Sequence, residues 1–334
     1  MKKYFIPAGL LLATFAGTAA AQGGGLTTPP CPAGVSPLDA SRITQDACVQ
    51  AFDLYQFMAP QLGVELVGGN ATIGQGSVLG GLGHFSVGVR GNVLRATLPR
   101  VDRFTESITG AKQNVLPTET AILGLPTADA AIGIFKGFPL ALTNIGGIDA
   151  LVSASYVPTT SGKNFAVTPQ SNLQFGFGAR LGLLSESIVV PGISVTWIER
   201  DLPTTDLLGT SNGATLHVND MTVKTSAWRV VASKSFIIFG LAAGVGQDSY
   251  DQEGTVSVTA AQGGNLFVAG PIKSSQTLKR TNMFADLSFN LPLFKIVAEI
   301  GQASGGTVNT YNSFAGGRAD RSQVYGSAGL RLSY

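Results

Sequence analysis

Past its N-terminal stretch the chain has no continuous apolar run near the ~18 residues that a membrane-crossing helix requires. Yet it carries too little charge to coat a water-soluble domain of its length. Only 13% of the residues are charged, about half the usual share, and 43 of the 334 are glycine. Strands that show one face to lipid and the other to an enclosed lumen reconcile these facts. The lipid face needs no charge, and the lumen face accepts polar residues and glycine. A large secreted β-sandwich is the alternative.

The required period-2 alternation is legible segment by segment. Phe85, Val87 and Val89 alternate with Ser86, Gly88 and Arg90; Ile148, Ala150, Val152, Ala154 and Tyr156 alternate with Asp149, Ser153 and Ser155. Leu173, Phe175, Phe177, Ala179 and Leu181 oppose Gln174, Gly176, Gly178 and Arg180. Ile193, Val195 and Trp197 oppose Ser194 and Thr196, and Phe239, Leu241, Ala243 and Val245 oppose Gly240, Ala242, Gly244 and Gly246. Met283, Ala285, Leu287 and Phe289 oppose Asp286, Ser288 and Asn290; Phe294, Ile296, Ala298 and Ile300 oppose Lys295, Glu299 and Gly301. Weaker strands fall near 63–72, 128–138, 214–220 and 221–234. In the last of these, Trp228 and Arg229 exchange faces with a one-residue slip. The expected fold is all-β: a transmembrane antiparallel β-barrel of about 12 strands, within 10–14, with a helical segment ahead of it. Short turns near 234–235 and 290–293 are expected on the periplasmic side. Long loops near 99–125, 201–213, 248–280 and 302–321 are expected outside the cell.

Both chain ends agree with this. Val324, Gly326, Ala328, Leu330, Leu332 and Tyr334 share one face of the final segment, and Tyr325, Ser327, Gly329, Arg331 and Ser333 share the other. A half-apolar strand ending on an aromatic residue resembles the closing strand of bacterial outer-membrane β-barrels. Ser327, Gly329, Leu332 and Tyr334 fit the pattern that the barrel-assembly machinery reads in that class. At the other end, Lys2 and Lys3, the apolar stretch 5–17 and Ala19-Ala20-Ala21 form a secretory signal peptide cleaved before Gln22. No cysteine follows the cleavage site, so no lipoprotein anchor is expected. The signal holds two of the 22 basic residues, leaving 20 against 20 acidic ones, a balance that argues against nucleic acid as a partner. Cys31 and Cys48, the two cysteines of the chain, are expected to form a disulfide in an oxidising periplasm.

The organisation expected is a signal peptide over 1–21, a periplasmic or plug segment with a short helix over 22–61, and a barrel over 62–334. Ser36-Pro37 suits a helix start. Ile43, Ala47, Ala51, Leu54, Tyr55 and Met58 recur at helical spacing, and Pro60 is expected to end the run. Such a helix can sit inside the barrel, lie under it or cap it. The small Gly240/Ala242/Gly244/Gly246 face would let an inner element approach closely.

The search for chemistry finds no enzyme. The chain has two histidines, His84 and His217. One family of barrel phospholipases carries a His shortly before Ser-Asn-Gly; here Ser211-Asn212-Gly213 has Gly209 in that place, and Asn-Gly reads as a loop tip. Barrel proteases pair acids with a His near the rim, whereas His217 has only Asp220 close by in sequence. No phosphate loop, dinucleotide fingerprint or zinc motif occurs, and no cofactor is expected.

The lumen-facing candidates are therefore Arg90, Asp149, Arg180, Asp286, Lys295, Glu299 and Arg331. Their mixed signs favour no strong ion selectivity. The expected function is passive uptake of small, apolar solutes across an outer membrane. The alternative is a structural or assembly barrel that anchors surface or secretion partners. A plugged barrel of this size with sparse lumen charge is similar in outline to the long-chain fatty-acid transporter family. The Asn-Pro-Ala element of that family's hatch is absent, and no binding residue carries over. A substrate-sized apolar cavity would favour transport; a lumen filled by the helix would favour a scaffold.

Overall fold

The computed structural model describes residues 25–32, 38–100, 103–104, 107, 109–211, 214–262 and 265–334. The expected signal peptide, the Ser36-Pro37 helix start and the Asn212-Gly213 loop tip lie outside them. Ten long strands form the barrel wall among the described residues. These are β1 (Phe85–Pro99), β2 (Thr118–Phe135), β3 (Gly147–Tyr156), β4 (Leu173–Leu184) and β5 (Gly192–Asp201), then β6 (Ala214–Ser235), β7 (Phe239–Gln262), β8 (Asn265–Asn290), β9 (Lys295–Ser304) and β10 (Gln323–Ser333). Each pairs antiparallel with the next, and β10 pairs with β1 from Ser86↔Ser333 to Leu94↔Tyr325, which closes the ring. Closure leaves no wall edge unpaired at membrane depth, the condition for spanning lipid with strands.

Alternating side chains give the two faces their character. Phe175, Phe177, Leu241, Leu287 and Ile300 are among many large apolar residues left exposed on the outer face. Such a continuous apolar exterior has no place in water and forms the lipid belt. Its margins are visible in the strands. On β7, Leu241, Ala243 and Val245 give way to Gln247, Asp251 and Glu253; on β8, Leu287 and Met283 give way to Thr281, Lys279 and Thr277. Aromatic rings mark both margins. Trp197 faces Trp228 in register and meets Phe177 edge-on at 6.0 Å, while Phe85 and Tyr334 lie 6.0 Å apart at the other end. The register settles the ambiguous strand: Trp228 points to lipid and Arg229 inward.

The ring has two unlike ends. Short connections at 136–146, 185–191, 236–238 and 291–294 share one end with Phe85 and Tyr334, whose backbones bond to each other at 2.9 and 3.0 Å. The opposite end bears long excursions. There the structure departs from the expected loops. Residues 248–262 and 265–280 are not a loop but the outer halves of β7 and β8, continuous strands of 24 and 26 residues. A tilted span needs only ~9–11 residues, so the remainder stands on the order of 40 Å along the strands beyond the belt. The segments expected near 214–220 and 221–234 are one strand with a register shift between Asn219 and Thr222, where Asp220 adopts φ +52°. Part of the 99–125 loop, from Thr118 onward, also belongs to the wall. Thr205–Ser211, Phe165–Pro169 and Thr160–Ser161 widen the projecting sheet beside β6.

The helix α1 runs over Leu38–Val67, inside the ring. It continues through Pro60 and occupies much of the expected 63–72 strand, which corrects both expectations. Proline leaves the carbonyl four residues earlier without its helical donor. Here Gln276 Nε2 of β8 reaches the Gln56 carbonyl at 3.4 Å, and Gln252 Nε2 of β7 reaches the Ala59 carbonyl at 2.5 Å. At Gln56 the wall thus supplies the hydrogen bond that proline withholds, at Ala59 it adds a brace beside it, and the helix need not stop.

Candidate functional site in the lumen

The chain descends the lumen from the long-loop end to the short-turn end, so its contacts can be followed in order. At the loop mouth, the Asp53 carboxylate accepts from the Tyr311 and Asn312 amides at 2.9 and 2.6 Å and from Asn312 Nδ2 at 2.8 Å. Asp46 accepts from the Ser107 and Lys112 amides at 2.8 and 3.2 Å. The Phe57 ring stacks on Phe314 at 4.0 Å, and Leu54, Phe104, Leu116 and Val308 complete an apolar lid. Burial pushes the Asp53 carboxyl up to about 6, even though the three N–H donors favour its charged form. Cys31 and Cys48 are joined by a disulfide at this same mouth, packed with Val49 and Tyr311.

Midway, glycines in the helix and just past its end let wall aromatics approach. A Cβ on Gly63 would lie 2.7 Å from the Tyr250 ring, and one on Gly68 would lie 3.1 Å from Tyr325. The expected close-approach face at Gly240, Ala242, Gly244 and Gly246 does a different job. A Cβ at Gly244 would strike the Phe284 ring at 2.4 Å, and one at Gly240 would strike Ser288 Oγ at 2.6 Å. Those gaps are filled by neighbouring strands of the wall, not by the helix. Around the tyrosines, Asp248 pairs with Arg229 and accepts from Tyr250 Oη and Asn282 Nδ2, both at 3.0 Å; Tyr325 Oη donates to Asn282 Oδ1 at 2.8 Å.

Below the helix, residues 68–84 turn across the lumen, and most of the expected lumen-facing residues meet them there. Asn70 donates from its amide to Glu299 at 2.8 Å and from Nδ2 to Asp286 at 3.0 Å, and the Gly74 amide donates to Asp286 at 2.8 Å. Arg90 Nη1 donates to the carbonyls of Gly68 and Asn70 at 3.3 and 3.0 Å, and its Nε pairs with Asp129 at 2.8 Å. Arg180 pairs with Asp149 at 2.7 Å and donates to Thr72 Oγ1 at 2.5 Å, while the Leu79 amide donates to Asp149 at 3.1 Å. Arg331 Nη1 donates to the Ile73 carbonyl at 2.7 Å. Lys295 lies half-buried near the turns, in register with Arg331. The gap lined by Thr72, Ile73, Ser86, Arg90, Asp129 and Arg331 has about 10 Å³, the scale of one water.

Other members of this network escaped the sequence reading. Asp129, which also holds Arg200 at 3.0 Å, sits in an alanine-rich stretch whose faces alternation could not assign. Arg229 was hidden by register, and Asn70 by its place in the expected 63–72 strand. A cue was present: an asparagine beside two glycines suits a turn better than a strand interior.

Among the described residues the arrangement holds a plug. His84 opens β1 at the turn end, whereas His217 lies in the projecting sheet beyond the belt. Asp220 spends its amide on Asp206 at 2.9 Å. Among the described residues, no group of three or more His, Cys, Asp or Glu side chains is placed to hold a metal.

A closed ring, a continuous apolar exterior and a hydrogen-bonded interior now stand together. The fold is a transmembrane antiparallel β-barrel. No family model matches the chain, and no curated protein matches it in sequence. Solved structures with some likeness to it include the following three. A TodX deletion mutant, titled a monoaromatic hydrocarbon channel, shows 10% identity and a TM-score of 0.33 over 81% of this chain and 74% of its own. The β domain of the Bordetella autotransporter BrkA shows 13% identity and a TM-score of 0.32 over 75% and 98%. The CymD monoaromatic hydrocarbon channel shows 12% identity and a TM-score of 0.24 over 89% and 97%.

Proposed function

We propose that this protein is a non-enzymatic barrel of a Gram-negative-type outer membrane, exported by a cleaved signal peptide and closed at rest. It serves as a membrane anchor for the rigid sheet and loops that stand beyond one end. The observation that carries this reading is the filled lumen: α1 and residues 68–84 meet the wall from one mouth to the other through buried hydrogen bonds and ion pairs. Its partners are outer-membrane lipid around the belt and, during insertion, the barrel-assembly machinery that reads Ser327, Gly329, Leu332 and Tyr334.

A second reading keeps passive uptake of small, apolar solutes, with the plug as gate. It is favoured by apolar side chains in the outer half of the lumen, among them Leu54, Phe57, Leu94 and Leu278. Two solved structures of similar fold bear titles naming monoaromatic hydrocarbon channels. The refolded protein in a planar bilayer separates the alternatives when paired with proteoliposome uptake of a small aromatic probe. The anchor reading expects neither steady conductance nor uptake above protein-free vesicles. Ohmic steps would overturn closure, and probe uptake without conductance would favour the gated channel.

A further inference from the structure

We infer that the chain upstream of α1 leaves the barrel at the long-loop end, so that its N-terminal segment is displayed on the outer face of the cell. The inference rests on the outer-membrane reading for which end faces outward, and on geometry for everything else.

The direction of the plug is fixed by a ladder of contacts at rising residue number. Asp46 and Asp53 hold the loops at 107–112 and 311–312. Gln61 then brackets Thr97, accepting its amide and donating to its carbonyl, both at 2.8 Å, at the outer end of β1. Asn92, further down β1, donates to the Glu65 carbonyl at 3.0 Å. Asn70 reaches Asp286 and Glu299. Ser77 Oγ accepts from the Glu186 amide at 3.0 Å in the short 185–191 connection, and a Cβ at Gly81 would touch the backbone of Lys136 in another. Phe85 then starts β1 beside Tyr334. The chain therefore passes the whole lumen once, from the long-loop end to the short-turn end.

What precedes the helix stays at the mouth where the helix begins. The Leu26 amide donates to the Thr310 carbonyl at 3.2 Å, and Gln113 Nε2 donates to the Leu26 carbonyl at 3.3 Å. Gln45 Nε2 donates to the Cys31 carbonyl at 3.1 Å, and the Cys31–Cys48 disulfide ties this segment to the helix covalently. Leu26 packs against the cluster of Cys31, Cys48, Val49 and Tyr311, as do Ala269 and Ile272 of the projecting β8. Barrels of this class keep short turns in the periplasm and long loops outside. Gly25 is therefore outside, on the opposite side of the membrane from Phe85 and Tyr334. Any sequence joined ahead of it is presented to the medium, which makes the barrel a display device for its own N-terminal end.

The test uses three epitope insertions in the full chain, made singly: ahead of Gly25, in the 157–172 loop, and in the 291–294 turn. Antibody binding is read on intact cells and again after the outer membrane is permeabilised, with a heat-modifiable gel shift to certify folding. The expected result is labelling of the first two tags on intact cells and of the turn tag only after permeabilisation. If the loop tag labels intact cells and the Gly25 tag does not, the display inference fails alone. If the loop tag also needs permeabilisation, the outer-membrane orientation fails with it. Should the Gly25 tag prevent folding, a single cysteine inserted there and probed with a membrane-impermeant maleimide gives the same decision, because Cys31 and Cys48, the two cysteines of the chain, are joined in the disulfide.

Discussion

Arg180 offers the sharpest test of how the plug is held. Its guanidinium is buried against an equally buried Asp149 carboxylate, with Nε and Nη2 at 2.8 and 2.7 Å from one oxygen, and Nη1 reaches across to Thr72 of the plug. Arg180→Ala removes the partner of a fully buried carboxylate, a change that costs about 3–5 kcal/mol. Asp149 keeps one neutral donor, the Leu79 amide, which places the expected loss at the lower end of that range. Thr72→Val removes only the tether and should cost about 1.5–3 kcal/mol, as for a hydrogen bond to a charged group. Removing both charges, as Arg180→Ala with Asp149→Ala, should recover part of the single-mutant loss because no unpaired charge remains. The assay is equilibrium urea unfolding in detergent micelles, followed by the fluorescence of Trp197 and Trp228. An Arg180→Ala loss within about 0.5 kcal/mol of wild type, the range of an ordinary surface change, would refute the idea that this pair holds wall and plug together.

Four further outcomes are expected. Gly69 has φ +77° and a Cβ there would sit 1.5 Å from Glu299 Oε1, so Gly69→Ala should displace the plug and show conductance or increased protease sensitivity where wild type shows neither. Reducing the Cys31–Cys48 bridge, which spans 17 residues of sequence, should lower stability by about 3 kcal/mol on the loop-closure estimate, measured by unfolding with and without reductant. Deleting Tyr334 should lower the folded fraction in the outer membrane, read from heat-modifiable gel shifts of membrane fractions. Asp53 should make stability pH-dependent. Its carboxyl is held up to about 6 when folded, against 3.8 for the free side chain, so the folded state keeps a proton that the unfolded state has lost. Stability from this group is therefore fullest below pH ~4 and declines as pH rises towards ~6, by up to about 3 kcal/mol. Unfolding midpoints across that range should flatten in Asp53→Asn.

The barrel was legible because each lipid-facing strand must repeat apolar residues at period 2, and segments such as Leu173–Leu181 and Met283–Phe289 do so with few exceptions. The projecting sheet was not. Beyond the belt, residues such as Asp251, Glu253, Thr277 and Lys279 meet water on the outer face, so strand polarity there resembles that of a loop. The helix end was misread at Pro60 because its compensation comes from Gln276, some two hundred residues away. The charged lumen residues were partly visible one by one, but not their pairing. Arg180 with Asp149 follows from register between strands, and Arg90 with Asn70 follows from a plug whose path no local pattern encodes.

The chain-end seam has a consequence for how such a molecule is completed. Arg331 on β10 lies directly opposite Gly88 of β1, two residues from Arg90. Both guanidiniums turn inward, and both spend donors on plug carbonyls at Gly68, Asn70 and Ile73. In a ring closed without its plug, water would have to replace those carbonyls around the two guanidiniums. The first and last strands pair with each other directly from Ser86 to Leu94, and the plug adds a third party to that seam, so the line where the ring closes is also a line along which the guest is gripped.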